Sequence, residues 1–183
     1  PSYLPVKSVL NLYDKENDIR YDAYFTTGLI DRQVGDDIEV TYCSKWPGNP
    51  ELYEGKSNNV NKLKAFRISE MYLVKAEALG KTNGAAALVE YMKKRYTTAP
   101  SEAAIKALSD KEYQTLILDE RRREFYAEGM RWQDIKRTNR LELLETLDGR
   151  TYLMYYPIPQ DEIDMAGTVA YPQNPGYAGY TGN

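Results

Sequence analysis

Glu120, Glu124 and Glu128 are the residues whose spacing comes nearest to catalytic chemistry. On a helix they stack on successive turns. A pair of carboxyls, one protonated and one ionised, is what cleaves a glycosidic bond. Arg121, Arg123 and Arg131 lie within helical reach of the same face. Arginine neighbours keep carboxylates ionised, which removes the general acid. Structural ion pairs are therefore the stronger reading. Arg121, Glu124, Glu128 and Arg131 form a stripe whose signs can pair along the helix. The rest of the catalytic inventory is thin. The chain has no histidine and a single cysteine, Cys43. Ser-His and Cys-His nucleophile pairs and a histidine-based zinc site are excluded. No glycine loop of the phosphate-cradling kind is followed by Lys-Ser or Lys-Thr. No catalytic residue, metal or cofactor is expected. Asp14, Glu16 and Asp18 alternate as the first ligands of a calcium loop do, but Ile19 and Phe25 stand where Gly and Glu are required. A solvated turn before a strand is the reading of residues 13–25.

The aromatic residues carry more information. The chain holds 17 tyrosines against 3 phenylalanines and 2 tryptophans, and a ring with a polar tip suits a surface that is both packed and wet. Sugar rings stack their C–H faces on aromatic planes, and their hydroxyls need amide and acid partners. Tyr42, Trp46 and Tyr53, with Asn49, Asn58 and Asn59 nearby, fit that description. Trp46 sits among turn residues, Lys45-Trp46-Pro47-Gly48-Asn49-Pro50, rather than in a helical period. It reads equally as a glycan platform or as a loop residue folded over the core. Trp132 obeys the helical period and reads as packing, as do the tail tyrosines at 152, 155, 156, 171, 177 and 180. Cys43 reads as a half-buried residue rather than a reactive thiol.

The elements that must position these residues are mostly helices. Leu116–Arg137 is the organising stretch: Leu118, Phe125 and Trp132 recur every seven residues beside the charged stripe. Ser109 and Glu112 have the spacing of a capping box. One helix is expected over 110–128 and a shorter one over 130–138, on either side of Gly129. Upstream, helices over 61–79 and 85–96 flank a turn at 81–84 and form an antiparallel hairpin. A helical turn over 102–108 is also expected. Ile38, Val40 and Tyr42 suit a short strand, and 152–156 another. Residues 1–12 read as extended, and the tail from Pro157 as irregular chain over the helices. The fold class is mainly α: tetratricopeptide-like hairpins with long irregular loops and one or two short strands. A single domain over 1–183 is expected, irregular to residue 60, helical over 61–147, with an extended tail from 148.

The net charge of −3 leaves no basic footprint for nucleic acid, and no stretch has the apolar length to span a bilayer.

Three motifs, in order, resemble one family. ERRREFYAEGMRWQDIKRT, from Glu120, is similar to the late helical signature of the SusD/RagB proteins. FRISEMYLVKAEAL, Phe66 to Leu79, resembles that family's helix opening with Arg. PIPQDEI and QNPGY, from Pro157 and Gln173, resemble its C-terminal end, although Met165-Ala166-Gly167-Thr168 replaces the usual Asn-Pro turn. Asp18 and Arg20 match an Asp and an Arg that the family carries close together. The resemblance implies a non-enzymatic, surface-exposed outer-membrane lipoprotein. Such a protein binds oligosaccharide and passes it to a TonB-dependent, SusC-like transporter. A peptide ligand is the alternative within the family, and a helical interaction module without a ligand the alternative outside it. The family's lipid anchor is an N-terminal cysteine, which Cys43 is not. This chain resembles the family's C-terminal portion, so apolar surface is expected where further helix pairs pack.

Overall fold

The computed structural model describes residues 4–30, 35–48, 64–144, 147–166 and 172–177. The fold is mainly α, with one small sheet among the described residues. The chain divides into two compact units, Pro1–Met130 and Arg131–Asn183. The division falls inside the stretch expected as the helical core.

The first unit opens on a short helix, α1 (Lys7–Leu10), where extended chain is expected. Its Val9 is buried with Tyr13 and Phe25, and burying that side chain favours the helical turn over an extended path. A second short helix, α2 (Arg20–Tyr24), leads into strand β1 (Phe25–Ile30), which pairs antiparallel with β2 (Ile38–Cys43). Residues 13–25 are not a solvated turn, because Tyr13, Asp18, Arg20 and Phe25 are all buried there.

The helical part begins later than the periodicity suggests. Helix α3 (Ile68–Met92) starts after Arg67, whose backbone is extended. It is broken at Gly80, which has φ 66° and ψ 173°. The two arms fold back on each other so closely that a Cβ at Gly84 would lie 2.2 Å from the Ala76 carbonyl oxygen. Gly84 is therefore a close-approach residue, not part of a turn, and the hairpin bends at Gly80 instead. Leu73 and Ala76 from the first arm meet Ala85, Leu88, Tyr91 and Met92 from the second, together with Ile105, Tyr113 and Ile117. The outer face of the first arm stays open and apolar: Phe66 is 87% exposed and Ile68 74%, with Met71, Val74 and Leu79 beside them.

Helix α4 (Glu102–Lys106) is capped by Ser101, and helix α5 (Asp110–Glu124) by the reciprocal Ser109–Glu112 box. Helix α5 buries Tyr113, Ile117, Leu118, Glu120, Arg121, Arg123 and Glu124, so it is covered on more than one side. It ends at Glu124 rather than 128. Ala127 (φ 61°) and Gly129 (φ 77°) both take left-handed backbone, which no helix continues through. Trp132 consequently does not extend the face of Leu118 and Phe125.

In the second unit, α6 (Met130–Thr138) buries Asp134 and Ile135. Ile135, Leu147 and Met154 form a small core, with Trp132, Leu141 and Leu153 packed against it. Residues Thr151–Met154 form a 3-10 turn where a strand is expected, which turns Met154 into that core. A short helix, α7 (Gln160–Met165), interrupts the tail. The Gln173 side chain then grips Ile158 at both its N–H (2.7 Å) and its carbonyl (2.8 Å). Tyr152 and Tyr177 stack edge to face over Gly176, where any Cβ would strike the Tyr152 ring at 2.4 Å. The tail tyrosines do not all serve packing: Tyr156 is 83% exposed and Tyr155 is also exposed. Tyr171 and Tyr180 lie outside the described residues. Among the described residues no helix is long and apolar enough to cross a membrane.

Candidate functional site

The charged face of α5 meets the N-terminal segment in a buried network centred on Arg20. Its guanidinium donates from Nε and Nη2 to the two Asp18 carboxylate oxygens at 2.8 and 2.7 Å. It also donates to the Tyr91 and Tyr96 hydroxyls at 2.8 and 2.9 Å, and it lies 3.0 Å from a Glu120 oxygen. Tyr96 donates to Glu120, and Arg123 donates to Glu120 at 2.7 Å and to the Leu12 carbonyl at 2.8 Å. Glu124 accepts from Arg95 at 2.7 and 2.9 Å and from Tyr91 at 3.0 Å.

Burial alone would push the Glu124 carboxyl up. The Arg95 hydrogen bonds and the charges of Arg95, Arg20 and Arg67 outweigh it and bring the group down to about 2. Burial likewise opposes ionisation of Glu120, but Arg123 and Arg20 hold it below the ordinary carboxylate range. Burial raises the Tyr91 and Tyr96 hydroxyls, so both remain protonated donors. Neither glutamate is placed to act as a general acid at neutral pH. The arrangement holds chain segments together through paired buried charges, although Glu120 Oε2 and Arg123 Nε make no hydrogen bond of their own among the described residues.

At the end of α5 a second, less enclosed group forms. The Lys45 ammonium donates to the carbonyls of Glu124 (2.8 Å) and Tyr126 (3.0 Å) and pairs with the Glu128 carboxylate at 2.5 Å. Arg67 donates to the Glu124 carbonyl (3.1 Å) and to Glu128 (2.7 Å), with its guanidinium over the Phe125 ring at 4.8 Å. These cations satisfy carbonyls that a helix end leaves free. The same Lys45 ammonium lies 4.3 Å from the Tyr24 ring and 5.6 Å from the Trp46 ring. Burial pulls it below the usual lysine range, against the opposing effect of the hydrogen bond it donates to Glu128.

The expected stripe is thus distributed over several elements. Glu124 and Glu128 find cations on α2, on either side of α3 (Arg67 before it, Arg95 after it) and in the loop after β2; Arg121 reaches Glu70 at 3.4 Å. Arg131 falls in the second unit, where it donates to the Leu143 carbonyl at 3.5 Å. Of the candidate aromatics, Trp46 and Tyr42 are half-buried. The Tyr42 ring runs along Gly28, with its Cε1 3.9 Å from where a Cβ would stand. Tyr53, Asn49, Asn58 and Asn59 lie outside the described residues. Cys43 is free and half-buried. Lys45, Arg67, Arg95, Tyr91 and Tyr96 escape a periodicity reading because their partners on α5 and in the turn just after it lie 24 to 83 residues away. An open cleft of about 720 Å³ lies along Met92, Pro100, Ile105, Leu108 and Leu116, with Lys111, Glu112 and Asp119 also lining it and no aromatic ring among its walls.

The sequence model of the SusD family matches residues 26–151, more than half of the chain. The chain belongs to the SusD family. The matched span runs from β1 past α6 and contains Lys45, Arg67, the α3 hairpin and the whole of α5. SusD-like protein P25 of Formosa agariphila is 26% identical over 160 residues, which are 80% of this chain and 30% of that protein. The chain therefore spans about 30% of the length of the relative it matches.

Proposed function

We propose that this SusD-family chain is part of a non-enzymatic, cell-surface binding protein. In this reading it holds oligosaccharide at the outer membrane and delivers it to a TonB-dependent, SusC-like transporter. The observation that carries this reading is the family membership of a scaffold whose carboxylates are locked in ion pairs. With the acids committed to structure, recognition falls to aromatic side chains at the surface. Trp46 and Tyr42 are the contacts proposed for sugar rings, with Tyr53, Asn49 and Asn58 as their proposed neighbours. Trp46 leads because Lys45 fixes the ring beside it while the residue keeps part of its surface in water.

Affinity electrophoresis against a panel of glycans tests the reading. Retardation by at least one glycan is expected, weakened about tenfold by Trp46→Ala. Unchanged retardation of that variant on every glycan and peptide removes Trp46 from the site. No retardation on any glycan, with binding to a peptide panel, turns the reading to a peptide ligand. Binding to neither leaves a helical interaction module. Release of reducing ends from any glycan would restore an enzymatic role.

A further inference from the structure

In the second unit, Tyr155, Tyr156 and Pro157 are consecutive exposed residues, and the turn at 173–177 holds their backbone from the side. The Tyr177 hydroxyl donates to the Tyr155 carbonyl at 2.6 Å, and Asn174 donates from Nδ2 to the Tyr156 carbonyl at 2.8 Å. Gln173, itself buried, takes both main-chain groups of Ile158. Pro157 and Pro159 each fix one further backbone rotation. A segment outside any helix or strand is thus immobilised, and Tyr156 stands on it with 83% of its surface in water. The two neighbouring rings differ. The Lys136 ammonium rests against Tyr155, 5.3 Å from its centroid. Tyr156 has no ring or cation against it among the described residues. A ring kept in water adds no burial energy to the fold. Holding it in place is useful where a ligand supplies the second face, because the ordering is then complete before binding.

The Asn174 carboxamide is oriented by its bond to the carbonyl of Tyr156 itself. Its Nδ2 is engaged there, while its Oδ1 accepts no hydrogen bond among the described residues. An open ring face beside an oriented amide oxygen suits a pyranose, which has a C–H face to stack and hydroxyls to donate. An aliphatic partner would cover the ring but leave the oxygen without a donor. We propose that Tyr156 and Asn174 form a second sugar contact, in the unit that does not carry Trp46. One sugar ring stacks on Tyr156, and one of its hydroxyls donates to Asn174 Oδ1. The ligand class rests on the function proposed above; the site does not depend on Trp46. Both residues lie outside the span 26–151 matched to the family, so that match does not supply them.

Affinity electrophoresis on the same glycan panel tests the site, with circular dichroism confirming that each variant is folded. Tyr156→Ala is expected to weaken retardation about threefold to tenfold, the size of one stacking contact. Tyr156→Phe is expected to stay within about twofold of wild type, because the ring makes the contact. Tyr156 is exposed, so both variants should melt with the wild type. Asn174→Ala should weaken retardation about threefold through loss of the acceptor. Equal retardation of wild type and Tyr156→Ala by every glycan that binds would overturn the site and leave the function proposed above standing. A loss in Tyr156→Phe as large as in Tyr156→Ala would also overturn it, since stacking needs only the ring. Unchanged retardation of folded Asn174→Ala would refute the paired contact. A wild-type chain that no glycan retards would remove the glycan reading and this site's ligand together.

Discussion

Two ion clusters hang from one helix, and they differ in what surrounds them. The inner one, around Glu120 and Glu124, is closed off: the glutamate side chains are essentially without solvent contact, and Tyr91 and Tyr96 supply hydroxyls to complete it. The outer one, around Glu128, keeps 15% of that side chain in water and borders Trp46. In the sequence the three glutamates share one four-residue spacing. What separates them is the company each keeps. Enclosure makes the inner pairs expensive to break, since a lone charge would remain in the core. Partial exposure makes the outer pairs cheaper and available to orient a neighbouring ring.

Breaking the inner cluster should have the largest effect. Glu124→Gln leaves Arg95 and Arg20 short of a counter-charge and is expected to cost about 3–5 kcal/mol, read from urea unfolding by circular dichroism. A loss below about 1 kcal/mol would mean the two clusters are energetically alike. Acid should act on the same residue. The Glu124 carboxyl ordinarily titrates near 4.5 and is held near 2 in the folded chain. Its folded value is depressed, so its contribution is fully present above 4.5 and is lost as pH falls toward 2. The wild-type stability profile should decline across that window, and Glu124→Gln should flatten it. A profile equally steep in the variant would assign the acid response elsewhere. Glu128→Gln should cost less, about 1–2 kcal/mol, and its effect should shrink in 1 M salt because the outer pairs reach solvent. Salt-independent loss would place Glu128 with the inner group. The smallest change is expected from Ala127→Gly. Relief of left-handed strain, about 1 kcal/mol, is offset by a similar gain in unfolded-chain freedom, so the melting temperature should stay within about 3 °C.

Much of the scaffold is written locally. The Ser109–Glu112 box announces α5, and Gly129 marks a break close to where the helix ends. The alternation at 38–42 announces β2. These signals need only neighbours in the chain. The misreadings arise where a distant partner decides. Gly84 looks like a turn residue, yet its lack of a side chain answers the Ala76 carbonyl and the Tyr113 hydroxyl. Arg67 falls inside the helix expected over 61–79, but its side chain is committed to Glu128 and its backbone is extended. Asp18 belongs to an alternation that suggests a hydrated acidic turn, whereas Arg20 draws it under Tyr96 into the interior. Of the candidate site, the aromatic character of Trp46 is legible because its loop is proline- and glycine-marked. The Lys45 ammonium beside it is not, because it is held by carbonyls and a carboxylate 79 to 83 residues further on.

The left-handed turn at Ala127 and Gly129 has a consequence for how such proteins diversify. Lys45 and Arg67 meet the same anion, Glu128, and doubling the number of residues between two such fixed points adds only ~0.6 kcal/mol of closure entropy. The sequence between those two cations can therefore change in length at little cost to the hairpin and the helix that hold them.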